Sequence, residues 1–297
     1  MSSFRTAVGL FGLENYYGGD FAKVVDLMRR AEDLGIDQMV ITDHVVMGER
    51  TDRYPYGEFP TPPDYQWFEP IVAMSAIAGA TERIRLSTSV LISPLRPPVL
   101  LAKQAATLDA ISGGRLDLGV GTGWQREEYE ASGIPWARRN QRLEDQLRAC
   151  RALWTESPAS FESETVSFDT IHCRPAPRQE PLPIWFGMAP TEANCRRIAE
   201  LGQGYLPISQ DPAVIAEDVR KIREAFERAG RDPGELEVRA QLPPVMGSAG
   251  PDLEATMAGL EPALEAGATV IEVLPVIFSR SPDDVNRCLE RIAKLKS

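Results

Sequence analysis

The sequence contains two histidines, and His44 is the better candidate for proton transfer. Asp43 and His44 come directly after an apolar, β-rich segment, residues 38–42. An imidazole has a reference pKa of about 6.5 and can take up and return a proton near neutrality. The sequence therefore predicts a general acid or base at His44; the alternative is a histidine that only fixes the next loop through hydrogen bonds. His172 lies in a proline-rich connection and is predicted to be structural or exposed.

Two glycine-containing turns could bring backbone groups close to a ligand. Residues 119–124 read GVGTGW, without the G-x-G-x-x-G spacing of a dinucleotide site. These residues form either a turn that lines a ligand site or an ordinary tight turn. Trp124 is either a wall for a flat ring or a residue that only packs in the interior. Gly187 and Met188 precede a predicted helix, where amide groups and the helix dipole favour a phosphate, although every helix start shares these properties.

Other chemistry is weakly represented in the sequence. The adjacent Glu127 and Glu128 could act as acids or bases, but carboxylates near a helix start are predicted to be solvated charges. No P-loop, HExxH, EF-hand or Ser–His–Asp order is present. The cysteines are scattered without a CxxC pair and are predicted to be free thiols in a reducing cytosol, with no metal site. They are Cys150, Cys173, Cys195 and Cys288.

The scaffold of these residues is predicted from an alternation of apolar β-rich segments with amphipathic helices, which is typical of parallel βαβ units. The predicted strands cover residues 6–12, 38–42, 84–92, 116–120, 183–187, 205–208, 236–242 and 269–274. Helices follow them, with Asp20 and Asp211 as predicted caps and Pro70 and Pro98 at predicted starts. Eight such units predict a closed (β/α)8 TIM barrel with its chemistry at the carboxyl ends of the strands; a doubly wound open sheet is the alternative.

Two insertions interrupt the predicted barrel. Residues 45–67, after the second strand, are rich in proline and tyrosine, and loops of this length usually carry function or form lids. Residues 157–179, between the fourth helix and the fifth strand, are predicted to add a small β excursion. The length fits one barrel as well as two smaller domains, and we expect a single domain over residues 1–297.

The charge balance excludes some partners. With 43 acidic and 32 basic residues, the formal net charge is −11, which gives no basic face for nucleic acid or anionic lipid. No apolar run approaches the roughly 20 residues that cross a bilayer, and the amino terminus lacks a basic segment followed by a long apolar one. We expect a soluble cytoplasmic protein that acts on a small molecule.

One long segment carries a family likeness. Residues 81–136 closely resemble the bacterial luciferase-like monooxygenase superfamily, and the match is best to its coenzyme F420-dependent oxidoreductases. They read TERIRLSTSVLISPLRPPVLLAKQAATLDAISGGRLDLGVGTGWQREEYEASGIPW. The likeness extends from the first strand through PLPIWFGMAPTEANCRRIAELGQGYLP and weakens after about Asp211. It implies a TIM barrel, in agreement with the count of strands and helices.

The resemblance also implies a cofactor site. In relatives, an Asp-His pair after strand two contacts the flavin or deazaflavin ring, and the histidine is often the acid or base. A non-prolyl cis peptide in strand three supports the ring, the glycine turn after strand four lines the site, and the turn after strand five binds phosphate. The matching residues are Asp43 and His44; Ser89 and Val90; Gly121, Thr122 and Gly123; and Gly187, Met188 and Ala189.

Three positions depart from the pattern. Sugar-phosphate dehydrogenases of this family have a tryptophan four residues beyond the histidine and a glutamate directly after the glycine turn. Here these positions are Gly48 and Trp124, which argues against a sugar phosphate as substrate. The phosphate turn often reads Gly-Gly, and here Met188 replaces the second glycine.

The implied activity is two-electron hydride transfer between coenzyme F420 and a small organic substrate that binds under the 45–67 excursion, with His44 as acid or base. One alternative is an FMN-dependent monooxygenase that uses a flavin reductase partner and oxygen. Another is a non-catalytic flavin-binding protein, against which the presence of His44 argues. Relatives are commonly dimers, so a homodimer is expected, with its contact through helices next to strands one to three.

Overall fold

The fold is a closed ring of parallel strands surrounded by helices, seen in a computed structural model that describes residues 4–248 and 250–296. The strands are β1 (Arg5–Gly9), β2 (Gln38–Ile41), β3 (Arg85–Thr88), β4 (Leu91–Ile92), β5 (Leu116–Gly121), β6 (Ala159–Glu162), β7 (Ser167–Ile171), β8 (Ile184–Phe186), β9 (Gly204–Tyr205), β10 (Glu237–Gln241), β11 (Val245–Gly247), β12 (Gly250–Asp252) and β13 (Val270–Val273). The helices are α1 (Leu13–Tyr16), α2 (Phe21–Asp33), α3 (Pro70–Ala78), α4 (Pro98–Ile111), α5 (Arg126–Ala131), α6 (Arg139–Thr155), α7 (Glu192–Leu201), α8 (Pro212–Arg228), α9 (Leu253–Met257), α10 (Leu260–Glu265) and α11 (Pro282–Ala293).

Closure of the sheet confirms the barrel and excludes the open-sheet alternative. Nine strands pair in the order β3-β2-β1-β13-β10-β9-β8-β5-β4, and β3 also pairs with β5. β3 and β4 are two halves of one predicted strand, residues 84–92, so the ring has the eight strand positions of a TIM barrel. The carboxyl ends of these strands meet at one mouth, where the predicted site residues lie.

The outer helices bury one apolar side against the barrel. In α2, for example, Val24, Leu27, Met28 and Ala31 are buried at helical spacing. The barrel strands are buried along nearly their whole length, as expected when helices cover a parallel sheet from outside and side chains fill it from inside. This packing makes the strand ends a rigid support for the site.

The four predicted helix starts are confirmed. Pro70 and Pro98 open α3 and α4, and Asp211 caps α8 by accepting a hydrogen bond from the amide of Ala213. Asp20 occupies the N-cap position of α2 as predicted, but its side chain makes no capping hydrogen bond. Its carboxylate instead lies 3.7 Å from the ammonium group of Lys23.

Several short elements were not predicted. The four-residue α1 and the six-residue α5 are too short to show a helical apolar period. The β11–β12 hairpin is largely exposed and therefore lacks apolar alternation. The single helix expected after strand seven is divided into α9 and α10, because the chain turns at Gly259, whose amide donates to the carbonyl of Thr256.

The remaining sequence predictions concern the second insertion and the thiols. β6 and β7 form an antiparallel hairpin, which confirms the β excursion in residues 157–179. All four cysteines are buried and unpaired, in agreement with free thiols. Over the ranges 4–248 and 250–296, no helix combines the length and apolar character needed to cross a membrane.

Candidate functional site

A cavity of about 790 Å³ opens at the carboxyl ends of the barrel strands. Every predicted site residue except Gly121 lines it: Asp43, His44, Ser89, Val90, Thr122, Gly123, Gly187, Met188 and Ala189. The strand-end rule thus brings together residues from four separate parts of the chain. Their individual roles toward a ligand stay predictions.

His44 lies at this mouth, close behind β2, with its ring paired to a buried carboxylate. Its Nδ1 is 3.0 Å from Oε2 of Glu128, and the histidine side chain is 9% exposed and the glutamate 0%. The other carboxylate oxygen of Glu128 accepts the amide of Val45 at 3.0 Å. A carboxylate that accepts from Nδ1 leaves Nε2 as the nitrogen that can exchange a proton in the cavity. The expectation of solvated charges is therefore wrong for Glu128.

Glu127, the neighbouring carboxylate, behaves as expected. Its side chain is 31% exposed and lies 3.5 Å from a guanidinium nitrogen of Arg53. His172, the second histidine, is exposed, and its Nδ1 lies 3.0 Å from the hydroxyl of Ser157. Both residues provide surface controls for the buried His44–Glu128 pair.

Asp43 is held by an internal ion pair. Its carboxylate accepts from Nη1 of Arg96 at 2.7 Å, from Nη2 at 3.1 Å and from the amide of Ile92 at 2.9 Å. Arg96 also bonds Glu69, and this double pairing, against the opposing effect of burial, raises the pKa of Arg96. Asp43 directly precedes His44, and its carboxylate binds the chain at this point to β4. This contact helps to fix the position of the imidazole.

The Ser89–Val90 peptide bond between β3 and β4 is cis, as the resemblance implies. Val90 is packed against two glycines of neighbouring strand ends. A Cβ on Gly121 would lie 2.6 Å from Cγ2 of Val90, and one on Gly187 would lie 2.4 Å from Cγ1. Glycine is thus required at both positions, and Gly121 acts beneath the cavity wall and not on it.

The turn after β8 has the features of an anion site at the start of α7. The amide of Gly187 donates to Val120 within the sheet, so it is not available as predicted. The hydrogen bonds found among the described residues leave the amides of Met188 and Ala189 unused. Thr191 caps α7, and the side chain of Asn194 donates to the carbonyl of Ala189 at 2.8 Å. A phosphate group fits these two amides and the helix dipole.

Aromatic rings of the 45–67 excursion, together with Trp124, cover His44. The centroids of Trp67, Phe59 and Trp124 lie 4.7, 5.7 and 6.1 Å from that of His44, each in a T-shaped arrangement. Tyr54 lies 5.1 Å from Phe59 and 5.2 Å from Trp124. We call Tyr54, Phe59, Trp67 and Trp124 the aromatic roof. Trp124 therefore belongs to the cavity wall and not to the core.

The floor of the cavity contains a second charged pair. Glu272 on β13 lies 3.1 Å from Nε of Arg239 on β10, and both side chains are almost fully buried. Burial raises the pKa of Glu272 despite the nearby cation, and burial lowers the pKa of Arg239. Arg239 also donates to Gln38 and Ser87, which fixes the pair inside the barrel. No cluster of three or more metal-binding side chains occurs in the described parts of the chain.

The partners of the predicted residues were not identified from the sequence. Glu128 lies 84 residues from His44, and Arg96 lies 53 residues from Asp43. Only the barrel topology, which places the loops after β2, β4 and β5 side by side, could have suggested these contacts. A search for charged residues in the first turns after each predicted strand would have found both partners.

The chain is similar in sequence to several known proteins. Residues 6–284 match the family model of the luciferase-like monooxygenases. An uncharacterized protein of Mycobacterium tuberculosis is 34% identical over 269 residues, which cover 89% of this chain and 90% of that protein. An F420-dependent glucose-6-phosphate dehydrogenase of Nakamurella multipartita is 30% identical over 74% of this chain and 62% of its own length. An FMNH(2)-dependent dimethylsulfone monooxygenase of Pseudomonas putida is 30% identical over 52% of this chain and 43% of its own length.

Solved structures share the fold. A monooxygenase from Streptomyces bottropensis superimposes with a TM-score of 0.80 at 21% identity, covering 98% of both chains. An F420-dependent secondary alcohol dehydrogenase superimposes with a TM-score of 0.78 at 18% identity, covering 99% of this chain and 98% of the other. The chain belongs to the luciferase-like monooxygenase family, whose members among these relatives include F420-dependent and FMN-dependent enzymes.

Proposed function

We propose that this protein transfers a hydride between coenzyme F420 and a small organic substrate, with His44 as the acid or base. The observation that carries the proposal is the buried His44–Glu128 pair at the mouth of the barrel. A flavin-storage protein needs a ring site but no oriented imidazole, whereas an oxidoreductase needs a group that moves the accompanying proton.

The residues present fit a deazaflavin. The wall at Val90, Gly123 and Ile92 is backbone-rich and apolar, as a flat ring requires, and the unused amides of Met188 and Ala189 suit its phosphate. Arg139 also lines the cavity, stacks 3.9 Å above Trp136 and lacks a carboxylate partner among the described residues. Its cation is therefore available to the anionic tail of the deazaflavin cofactor.

When bound, coenzyme F420 supplies a two-electron donor or acceptor of hydride. The protein supplies the rest: the aromatic roof excludes water, Glu128 fixes the imidazole, and Nε2 of His44 takes or returns the proton of the substrate. The ion pair of Asp43 with Arg96 holds the chain in place one residue before the imidazole.

Cofactor titration tests the choice between the two groups. Purified protein is titrated with F420 and with FMN, and F420 is expected to bind the more tightly. The relation to an FMNH(2)-dependent monooxygenase makes the FMN reading the second candidate. Tighter binding of FMN, with oxygen uptake in the presence of a flavin reductase, would establish that second reading.

Substitution of His44 tests the acid or base role. With F420 bound and a panel of secondary alcohols as substrates, His44→Ala is expected to lower kcat by about 10²- to 10⁴-fold and to leave the cofactor Kd almost unchanged. The matched control is His172→Ala, because this histidine is exposed and does not line the cavity. Equal turnover in the two variants contradicts the role of His44, and binding without any turnover in the unaltered protein favours storage.

A further inference from the structure

We infer that the substrate bound beneath the aromatic roof is a neutral, ring-bearing molecule with one uncharged oxygen acceptor, such as an aryl or cycloalkyl ketone or the corresponding alcohol. The inference rests on the proposed function, because this molecule is the substrate that exchanges the hydride with the cofactor. Its evidence comes from the aromatic part of the cavity wall and from the charged groups around it.

The first observation is the continuous aromatic surface. The four rings of the roof contact one another, with Phe59 5.0 Å from Trp124 and 6.4 Å from Trp67. All four rings are partly exposed and line the cavity, so part of each ring faces the space beside His44. Aromatic walls bind flat, apolar groups through burial and ring stacking.

The second observation is that the cations of the wall near the roof each lie beside a carboxylate. Asp43 is neutralised by Arg96, Glu272 by Arg239, and Arg53 lies beside Glu127. An anionic substrate that contacts these three pairs would therefore lose its water without meeting an unpaired cation among them, which is costly. Arg139, the cation without a carboxylate partner, stacks on Trp136, which is not one of the roof rings.

The third observation is a pair of unused donors. The indole nitrogens of Trp67 and Trp124 are buried, and neither finds an acceptor within hydrogen-bond distance among the described residues. Buried donors are normally satisfied, so a ligand whose oxygen reaches either indole nitrogen when the roof rings rotate around it gains a hydrogen bond. A carbonyl or hydroxyl provides such an acceptor, and it is also the group that gains or loses a proton in the proposed hydride transfer.

Calorimetry with three probes tests the inference. The probes are 1-tetralone, a neutral bicyclic ketone; 1-naphthoate, which has a similar ring system with a carboxylate; and glucose 6-phosphate. Each is titrated into the protein alone and into the protein saturated with its cofactor. We expect 1-tetralone to bind at least about ten-fold more tightly than 1-naphthoate, with no measurable binding of glucose 6-phosphate.

Substitutions locate the bound probe. Phe59→Ala is expected to weaken the binding of 1-tetralone by about 10- to 100-fold, and Tyr54→Leu gives a second test if the first variant folds poorly by circular dichroism. The control is Phe161→Ala, which removes a ring of similar exposure from the distant β6–β7 hairpin and is expected to change nothing.

The outcomes separate this inference from the proposed function. Preference for either anionic probe, absence of 1-tetralone binding, or binding that neither roof substitution changes overturns the substrate class, whichever cofactor binds. Failure of F420 to bind, with roof-dependent binding of 1-tetralone intact, overturns the proposed F420 chemistry and supports the ligand class.

Discussion

Replacement of Glu128 by glutamine tests how the imidazole is oriented. Glutamine keeps the size of the side chain and one oxygen, which can still accept the amide of Val45, now 3.0 Å from Oε1. The other terminal group becomes an NH₂ donor at the position 3.0 Å from Nδ1 of His44. Nδ1 must then accept, so Nε2 carries the hydrogen and can no longer take a proton from the substrate.

The expected loss follows from the strength of one hydrogen bond. A bond to a charged group contributes about 1.5–3 kcal/mol, and each 1.36 kcal/mol corresponds to about ten-fold in rate. Glu128→Gln should therefore lower kcat by about 10- to 150-fold. Because Glu128 acts through His44 and does not line the cavity, KM and the cofactor Kd should change by less than about two-fold.

The assay is steady-state oxidation of the secondary-alcohol panel with bound F420, measured across pH. Glu127→Gln is the matched control, since it makes the same change one residue away on a partly exposed side chain. Glu128→Asp should recover part of the rate and its pH dependence, because it restores the carboxylate. A folded Glu128→Gln protein with unaltered kcat and pH profile would refute the positioning role, as would a loss confined to the cofactor Kd.

Three further outcomes are expected. Gly187→Ala should weaken cofactor binding by at least about ten-fold in a titration, because the new Cβ would lie 2.4 Å from Cγ1 of Val90 and displace the cavity wall. Glu32→Gln should cost about 1–3 kcal/mol of unfolding free energy in urea at pH 7, unlike the exposed Asp33→Asn. Burial opposes ionisation of Glu32, but three backbone amides lower its pKa overall, so this contribution is present above the ordinary glutamate pKa and should disappear as pH falls through the lowered value. The native thiols, all buried, should react with Ellman's reagent at pH 8 only after unfolding; burial raises the pKa of Cys288 to about 12, and rapid reaction of the folded protein would contradict this.

The backbone-made part of the site was predictable because it depends on local sequence. Glycines at strand ends and the resemblance around Ser89 and Val90 indicate one wall from the sequence alone. The part made by side chains depends on which loops meet after the ring closes. Glu128 was expected to be solvated because adjacent carboxylates near a helix start usually are, yet the ring closure buries it beside His44.

The short helix α5, absent from the sequence prediction, connects the two halves of the site. Gln125, just before it, accepts the amide of Gly48 at 2.7 Å and donates to the carbonyl of Gly48 at 3.1 Å. A Cβ on Gly48 would lie 2.8 Å from Cβ of Glu127, so glycine at this position lets the 45–67 excursion pass against the helix. Glu128 binds the first amide of the same excursion and the imidazole with its two oxygens. The excursion that carries most of the aromatic roof and the ring that moves the proton are thus fixed by one carboxylate, so a displacement of the roof must also disturb the orientation of His44.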